Sequence, residues 1–253
     1  MEDYNMVAFC TEQTKADQEY FYSIQPMGVN ACVVNLTIGG NKRNLLAQKQ
    51  IKIAKNAGMV VHASHIARFT TPEEARAEAK FFLANTRAFN LSAKVVHTLI
   101  FVPTVADKTA TDLINFFQET LYIHGCHKQD LCVPANLIIN NAIRVNCLHL
   151  RPNLTVIDYN GFSPSVIGIG TWLFTDNYLD ERQLIAYDFM DFYTRHNQVR
   201  GRQLSLDPEY IAKTGDSYWL IAHQIGIELT ELLMLNNAKV EDKVFPGQRI
   251  KIA

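Results

Sequence analysis

His65 closes the apolar run MVVHASH (59–65), and Asp158 and Tyr159 close LTVIDY (154–159). An imidazole and a carboxyl are side chains that catalysis often uses to move protons. His65 and Asp158 form the acid–imidazole pair to consider for such work. The plain alternative for His65 is a ring whose hydrogen bonds are all internal. His124, Cys126, His127 and Cys132 crowd one short stretch, but their spacing matches no zinc pattern. They read as buried or incidental groups, and neither a metal nor a cofactor is expected. The five cysteines, an odd number at irregular spacing, argue against a disulfide framework and fit a reducing compartment. HTLIFVPTVADK (97–108) is the opposite case. It reads as an apolar strand running into a polar loop, and Phe101, Val102 and Pro103 at its tip cannot transfer a proton. The next acid, Asp107, reads as a loop or helix-cap residue.

Positioning these residues takes strands and helices in alternation. Strands are expected at 6–10, 30–37, 59–65, 95–102, 136–140, 154–159 and 171–175, where short apolar runs recur. Helical periodicity covers 44–58 and stops at Gly58. Thr71-Pro72-Glu73-Glu74 has the pattern of a capping box with proline at the first helical position, opening a helix to about Phe89. A further helix spans 109–125. Strand and helix alternating up to residue 194 imply a mostly parallel sheet, and at this length an irregular (β/α) barrel of TIM-like type. The strand ends then gather Thr37, His65, Val102, Pro103, Asp158, Tyr159, Thr175 and Asp176 near one rim. From Arg195 to Pro208 the chain turns polar and basic and reads as a linker.

The composition is 48% hydrophobic and 19% charged, with a formal net charge of −1. That supports a full core, in one large domain or in one large and one small. It lacks the basic excess of a nucleic-acid binder. The N-terminus MEDYNMVAFC shows no basic segment followed by an apolar one, so no secretory signal is read there. No run approaches the roughly 18 apolar residues of a membrane span. Synthesis in a cytoplasm is expected, with action elsewhere only after release.

Residues 209–253 form a small pattern of their own: strand YIAK, helix SYWLIAHQIG with Ser217 as its cap, helix ELTELLMLN, a turn at Pro246-Gly247, and strand RIKI. This βααβ order closely resembles the LysM domain. The matching residues are Gly215-Asp216-Ser217, Trp219 to Ala222, Gly226, Leu232, Leu235-Asn236 and Pro246-Gly247-Gln248. The resemblance implies binding of N-acetylglucosamine-containing glycans, peptidoglycan above all, in a shallow groove between two loops. Gly215, Asp216, Ser217 and Tyr218 would line one side, and Asn236, Phe245 and Pro246 the other. Tyr218 or Phe245 would pack on a sugar ring. Trp219, Leu232 and Leu235 read as core.

The segment 1–194 resembles glycoside hydrolase family 25, the lysozyme-like muramidases. TWLFTDNYLDERQLIAYDFMDFYT (171–194) looks like the family's closing stretch. VVHASHIARF (60–69), GVNACVVNLTIGGNKRN (28–44) and MVAFCTEQ (6–13) look like its other motifs, in order. The resemblance implies acids on the strand ends: an Asp in the opening motif, an Asp-x-Glu pair on one strand face, and a closing Asp. Those positions fall here on Ala8, on Phe101 and Pro103, and on about Leu184. Glycoside hydrolysis needs two carboxyl functions, or one plus a substrate acetamido group, so no catalytic residue is assigned. His65, Asp158, Tyr159, Trp172 and Asp188 are the groove candidates, with Arg68, Asp176 and Tyr187 beside them. Trp172 and Tyr187 can equally be core, and Asp188 a brace for its own loop.

The expectation is therefore a peptidoglycan-binding protein: a muramidase-like barrel without its catalytic carboxylates, anchored by a LysM domain and acting at the bacterial cell wall. One alternative is an active N-acetylmuramidase or endolysin of phage or prophage type, working with other acids such as Asp158. The other is a phage tail or virion component that contacts the wall.

Overall fold

The computed structural model describes residues 5–14, 16–91, 94–103, 109–159, 161, 163–194, 209–213, 215–225, 229–240 and 242–251. The chain divides into two compact units, Met1–His196 and Asn197–Ala253.

In the first unit eight strands close a barrel: β1 (Asn5–Cys10), β2 (Val29–Ile38), β4 (Val60–Ile66), β5 (His97–Ile100), β6 (Gln129–Pro134), β7 (Asn153–Ile157), β8 (Thr171–Thr175) and β9 (Leu184–Asp188). A two-residue strand, β3 (Lys42–Arg43), folds back on β2. Neighbours from β1 through β2 to β8 pair in parallel, whereas β9 runs antiparallel to both β8 and β1 and closes the ring. Helices α1 (Gln18–Ile24), α2 (Ala47–Asn56), α3 (Pro72–Ala88), α4 (Ala110–Ile123) and the short α5 (Ala135–Ile139) lie between strands in the chain.

Strand alternation sorts the core into two layers. Met6, Ala8 and Cys10 join Cys32, Val34 and residues of the helices in the outer cluster. Val7, Phe9, Ala31, Val33, Cys132, Leu173 and Ala186 form the inner one with Tyr193. The α3 cap matches its sequence pattern in full, with Glu74 N–H donating to Thr71 Oγ1 and Thr71 N–H to Glu74 Oε2, both at 3.2 Å.

Two expectations change. The apolar run 136–140 lies in α5 and the turn after it, and the strand is the preceding QDLCVP. That strand opens on buried Gln129 and Asp130, which interrupt the apolar pattern yet are hydrogen-bonded inside. The strand expected over 95–102 is shorter, His97–Ile100. Neither α1, capped by Asp17, nor the antiparallel β9 was read from the sequence.

The second unit pairs β10 (Glu209–Ile211) with β11 (Arg249–Lys251) antiparallel, with α6 (Tyr218–Ile225) and α7 (Leu229–Leu235) between them in the chain. Among the described residues no helix is long and apolar enough to cross a membrane.

Candidate functional site

The seven parallel strands end at one rim, where β9 begins: Leu184 pairs with Phe9 next to the end of β1. Phe9, Ile100, Ile157 and Leu184 belong to or border the inner cluster at this end. Inner side chains at the mouth are thus largely aliphatic or aromatic. Among the resemblance-derived acid positions, Leu184 faces this inner layer. Ala8 does not, because it packs in the outer, helix-facing cluster. Phe101 also turns outward, stacked on Phe69 at 5.7 Å between ring centroids. The inward neighbour of that position is Ile100, with Val102 beyond it 43% exposed. Shifting the register by one residue at β1 or β5 therefore still meets no carboxylate. Residues 104–108, with Asp107, lie outside the described residues.

The groove candidates do not assemble. His65 is fully buried against the helices, stacked on Phe117 at 5.1 Å. Its Nδ1 lies 2.8 Å from Thr37 Oγ1, and its Nε2 lies 2.8 Å from Glu78 Oε2. Burial holds this imidazole below its usual range, against the opposing pull of Glu78. A neutral ring facing a carboxylate donates through Nε2 and accepts the Thr37 hydroxyl at Nδ1. Its acid partner is thus Glu78, not Asp158. The sequence did carry a signal: Glu78 sits with Ala75, Ala79 and Phe82 on the buried stripe of α3, an acid in an apolar face. Asp158 Oδ2 accepts from Ser165 N–H at 3.0 Å and from its hydroxyl, bracing the loop after β7. Trp172 belongs to the outer cluster, with its Nε1–H donating to the Asp158 carbonyl at 2.8 Å. Tyr187 stacks on Phe174 in the same region, at 4.5 Å.

Asp188 lies at the opposite end of the barrel, where it pairs with Asn5 and Thr171. It accepts the backbone N–H groups of Phe192, Tyr193 and Thr194. Burial pushes its carboxyl up to about 6, although those three donors pull the other way. Tyr159, next to Asp158 at the mouth, is 42% exposed. Its phenol is pushed well above the usual range, first by burial and then by the nearby Asp176. Arg68 is exposed beside this rim, with Nη1 donating to the Ala67 carbonyl. Cys126 Sγ lies 3.3 Å from His97 Nε2 rather than grouped with Cys132. No cluster of three His, Cys, Asp or Glu that could hold a metal ion occurs among the described residues.

In the second unit the residue after β10 meets the turn before β11. Gly247 N–H donates to the Ala212 carbonyl at 2.7 Å, and Ala212 N–H donates to that of Gln248 at 2.8 Å. Ser217 Oγ caps α6 by accepting from Leu220 N–H. Gly215 (φ +89°), Phe245 and Pro246 are exposed on these loops. Three expected roles change. Tyr218 is the first residue of α6 and points into the small core, so it presents no face to a ligand. Trp219, the next residue, is 41% exposed instead of buried. Asn236 bonds the main chain of Leu232 and Lys251, at the other end of the β10–β11 pair. Asp216 braces the loop through Lys213 N–H and the Tyr210 hydroxyl.

Residues 11–126 match the family model for glycosyl hydrolases family 25, and residues 210–253 match that for the LysM domain. The chain is similar in fold to the CTP1L endolysin, at 18% identity and a TM-score of 0.60, over 75% of this chain and 69% of that one. It is similar to the bacterial lysozyme from Streptomyces coelicolor at 15% identity and 0.62, over 77% and 99%. The catalytic domain of an endolysin from a Listeria monocytogenes bacteriophage matches at 12% and 0.61, over 77% and 100%. At such identities the likeness carries the fold alone. Comparison with curated proteins finds no match.

Proposed function

We propose that this chain, which joins a glycosyl hydrolase family 25 domain to a C-terminal LysM domain, binds bacterial peptidoglycan and does not cut it. The observation that carries this reading is the mouth of the barrel. Ala8, Phe101, Pro103 and Leu184 occupy the resemblance-derived acid positions, and Phe9, Ile100, Ile157 and Leu184 form its inner wall. Protonating a glycosidic oxygen takes a carboxyl aimed at it, and a general acid contributes about 10²–10⁴-fold. None of these side chains supplies one. Binding falls to the second unit, where Gly215, Trp219, Phe245 and Pro246 are exposed on or beside the adjoining loops. An exposed aromatic side chain suits the apolar ring face of an N-acetylated sugar.

A turbidity assay on purified peptidoglycan, with a pull-down on the insoluble wall, tests this. Retention without clearing is expected, and retention is lost when residues 209–253 are removed. Clearing by the full chain would overturn the binding-only reading. A second reading, a hydrolase using other acids, draws on one feature: Asp176 stands close enough to Tyr159 to act on its phenol at the mouth. Clearing abolished by Asp176→Asn would establish that alternative, whereas clearing abolished by Asp158→Asn would point to the acid closing β7.

A further inference from the structure

Tyr193 plugs the barrel at the end away from the mouth. It is fully buried, although it lies in the turns that follow β9. Each polar atom is held by a different element. Its N–H donates to Asp188 Oδ2 at 2.8 Å, and its carbonyl lies 2.7 Å from His62 Nε2. Its hydroxyl lies 3.0 Å from Thr98 Oγ1 and 3.4 Å from Thr155 Oγ1. The ring packs edge-on to Phe9 at 5.8 Å and tilted against His62 at 5.5 Å. His62 Nδ1 accepts from Val96 N–H, so its other nitrogen carries the hydrogen given to Tyr193.

Asp130 is buried in the same interior. Its Oδ1 accepts from Asn153 Nδ2 at 2.7 Å and from the Thr155 hydroxyl at 2.9 Å. Its Oδ2 has no partner of good geometry, although the Tyr193 and Thr98 hydroxyls lie near enough to act on the carboxyl. As a neutral acid this group can donate from Oδ2 toward the plug. As a carboxylate it leaves a buried charge whose Oδ2 is unpartnered and needs water.

We propose that Asp130 and Tyr193 form a proton-operated latch at the floor of the barrel. With Asp130 neutral the plug is seated, and loss of that proton to solvent unseats Tyr193 and the turn that ends in it. The turn is the part that can yield, because residues 189–194 follow β9 as turns while the surrounding walls are laddered strands. Among the described residues, the other titratable or charged groups facing this site are Cys132 on the same strand, His62 on β4, Asp188 at the end of β9, Asp191 in the turn after it, and Lys128, whose Nζ lies 5.1 Å from the Phe192 ring centre. Asp130 is pushed up to about 7, chiefly by burial, and Asp188 to about 6.

Hydrogen exchange of the Phe192, Tyr193 and Thr194 amides in the full chain tests the latch, from about pH 6.5 to 8.5 and corrected for intrinsic exchange. Opening is expected to rise on the order of tenfold in the wild type and to stay flat in Asp130→Asn, which mimics the neutral acid. The carboxyl ¹³C resonance of Asp130 in the wild type should titrate with the same midpoint as the opening. The latch is overturned by opening that ignores pH, by an equal rise in the variant, or by a carboxyl already ionised at about pH 5. The carboxyl titration decides alone if the variant does not fold.

Discussion

His65 is engaged at both ring nitrogens, by Thr37 and by Glu78, and that arrangement removes it from solvent chemistry. Glu78 also accepts the Arg68 N–H at 3.0 Å, so one carboxylate satisfies a buried and a part-buried donor. Glu78→Ala leaves both without an acceptor and should cost about 3 kcal/mol in a denaturant titration. A loss below about 1 kcal/mol would mean that water replaces the carboxylate. In the small unit the side chains exposed on or beside the loops are the ones to test. Phe245→Ala and Trp219→Ala should each weaken retention on peptidoglycan about 3–10-fold, the weight of one aromatic contact. Their circular dichroism should not change, because both side chains are substantially exposed. Tyr218→Ala should instead unfold the unit, since that ring sits in its core.

Two junctions between elements depend on close fit. Gly170 precedes β8 where a Cβ would stand 1.9 Å from Asn153 Oδ1. Asn153 holds both Asp130 and Thr171, so it has little room to move. Gly170→Ala should lower stability by about 1–3 kcal/mol through that overlap, and Asn153→Ala in the same background should recover part of the loss. The α3 cap lies on the surface, so its effect is smaller and cleaner. Thr71→Ala should cost about 1 kcal/mol, visible as a lower Tm.

For the whole barrel, two kinds of buried group oppose each other as pH changes. His97 is held down at about 4 by burial, so its contribution is lost as pH falls from the usual imidazole range toward 4. Asp130, at about 7 against an ordinary 3.8, acts in the other direction. Its folded form binds the proton more tightly, so stability is highest below pH 4 and is lost as pH rises toward 7. The two effects offset each other in the wild type. Comparing Asp130→Asn with the wild type isolates the acid: the difference in unfolding free energy should move in the variant's favour by up to about 4 kcal/mol between pH 4 and pH 8. A difference independent of pH would show that Asp130 titrates normally.

Periodicity, caps and strand-end composition are local properties, and the sequence alone determined what rests on them: alternating strands and helices, the α3 capping box, a βααβ tail, and an apolar end to HTLIFVPT. The absence of acids at the resemblance-derived positions was legible in the same way, residue by residue. The direction of each side chain was not, because it depends on which face of a strand meets a helix layer and which meets the barrel axis. Only the tertiary structure turned His65 toward Glu78, Phe101 toward Phe69 and Tyr218 into a core, and placed Asp188 at the floor instead of the mouth. It also assembled the buried group around Tyr193 from residues far apart in the chain, which no local pattern encodes because barrel closure alone brings them together.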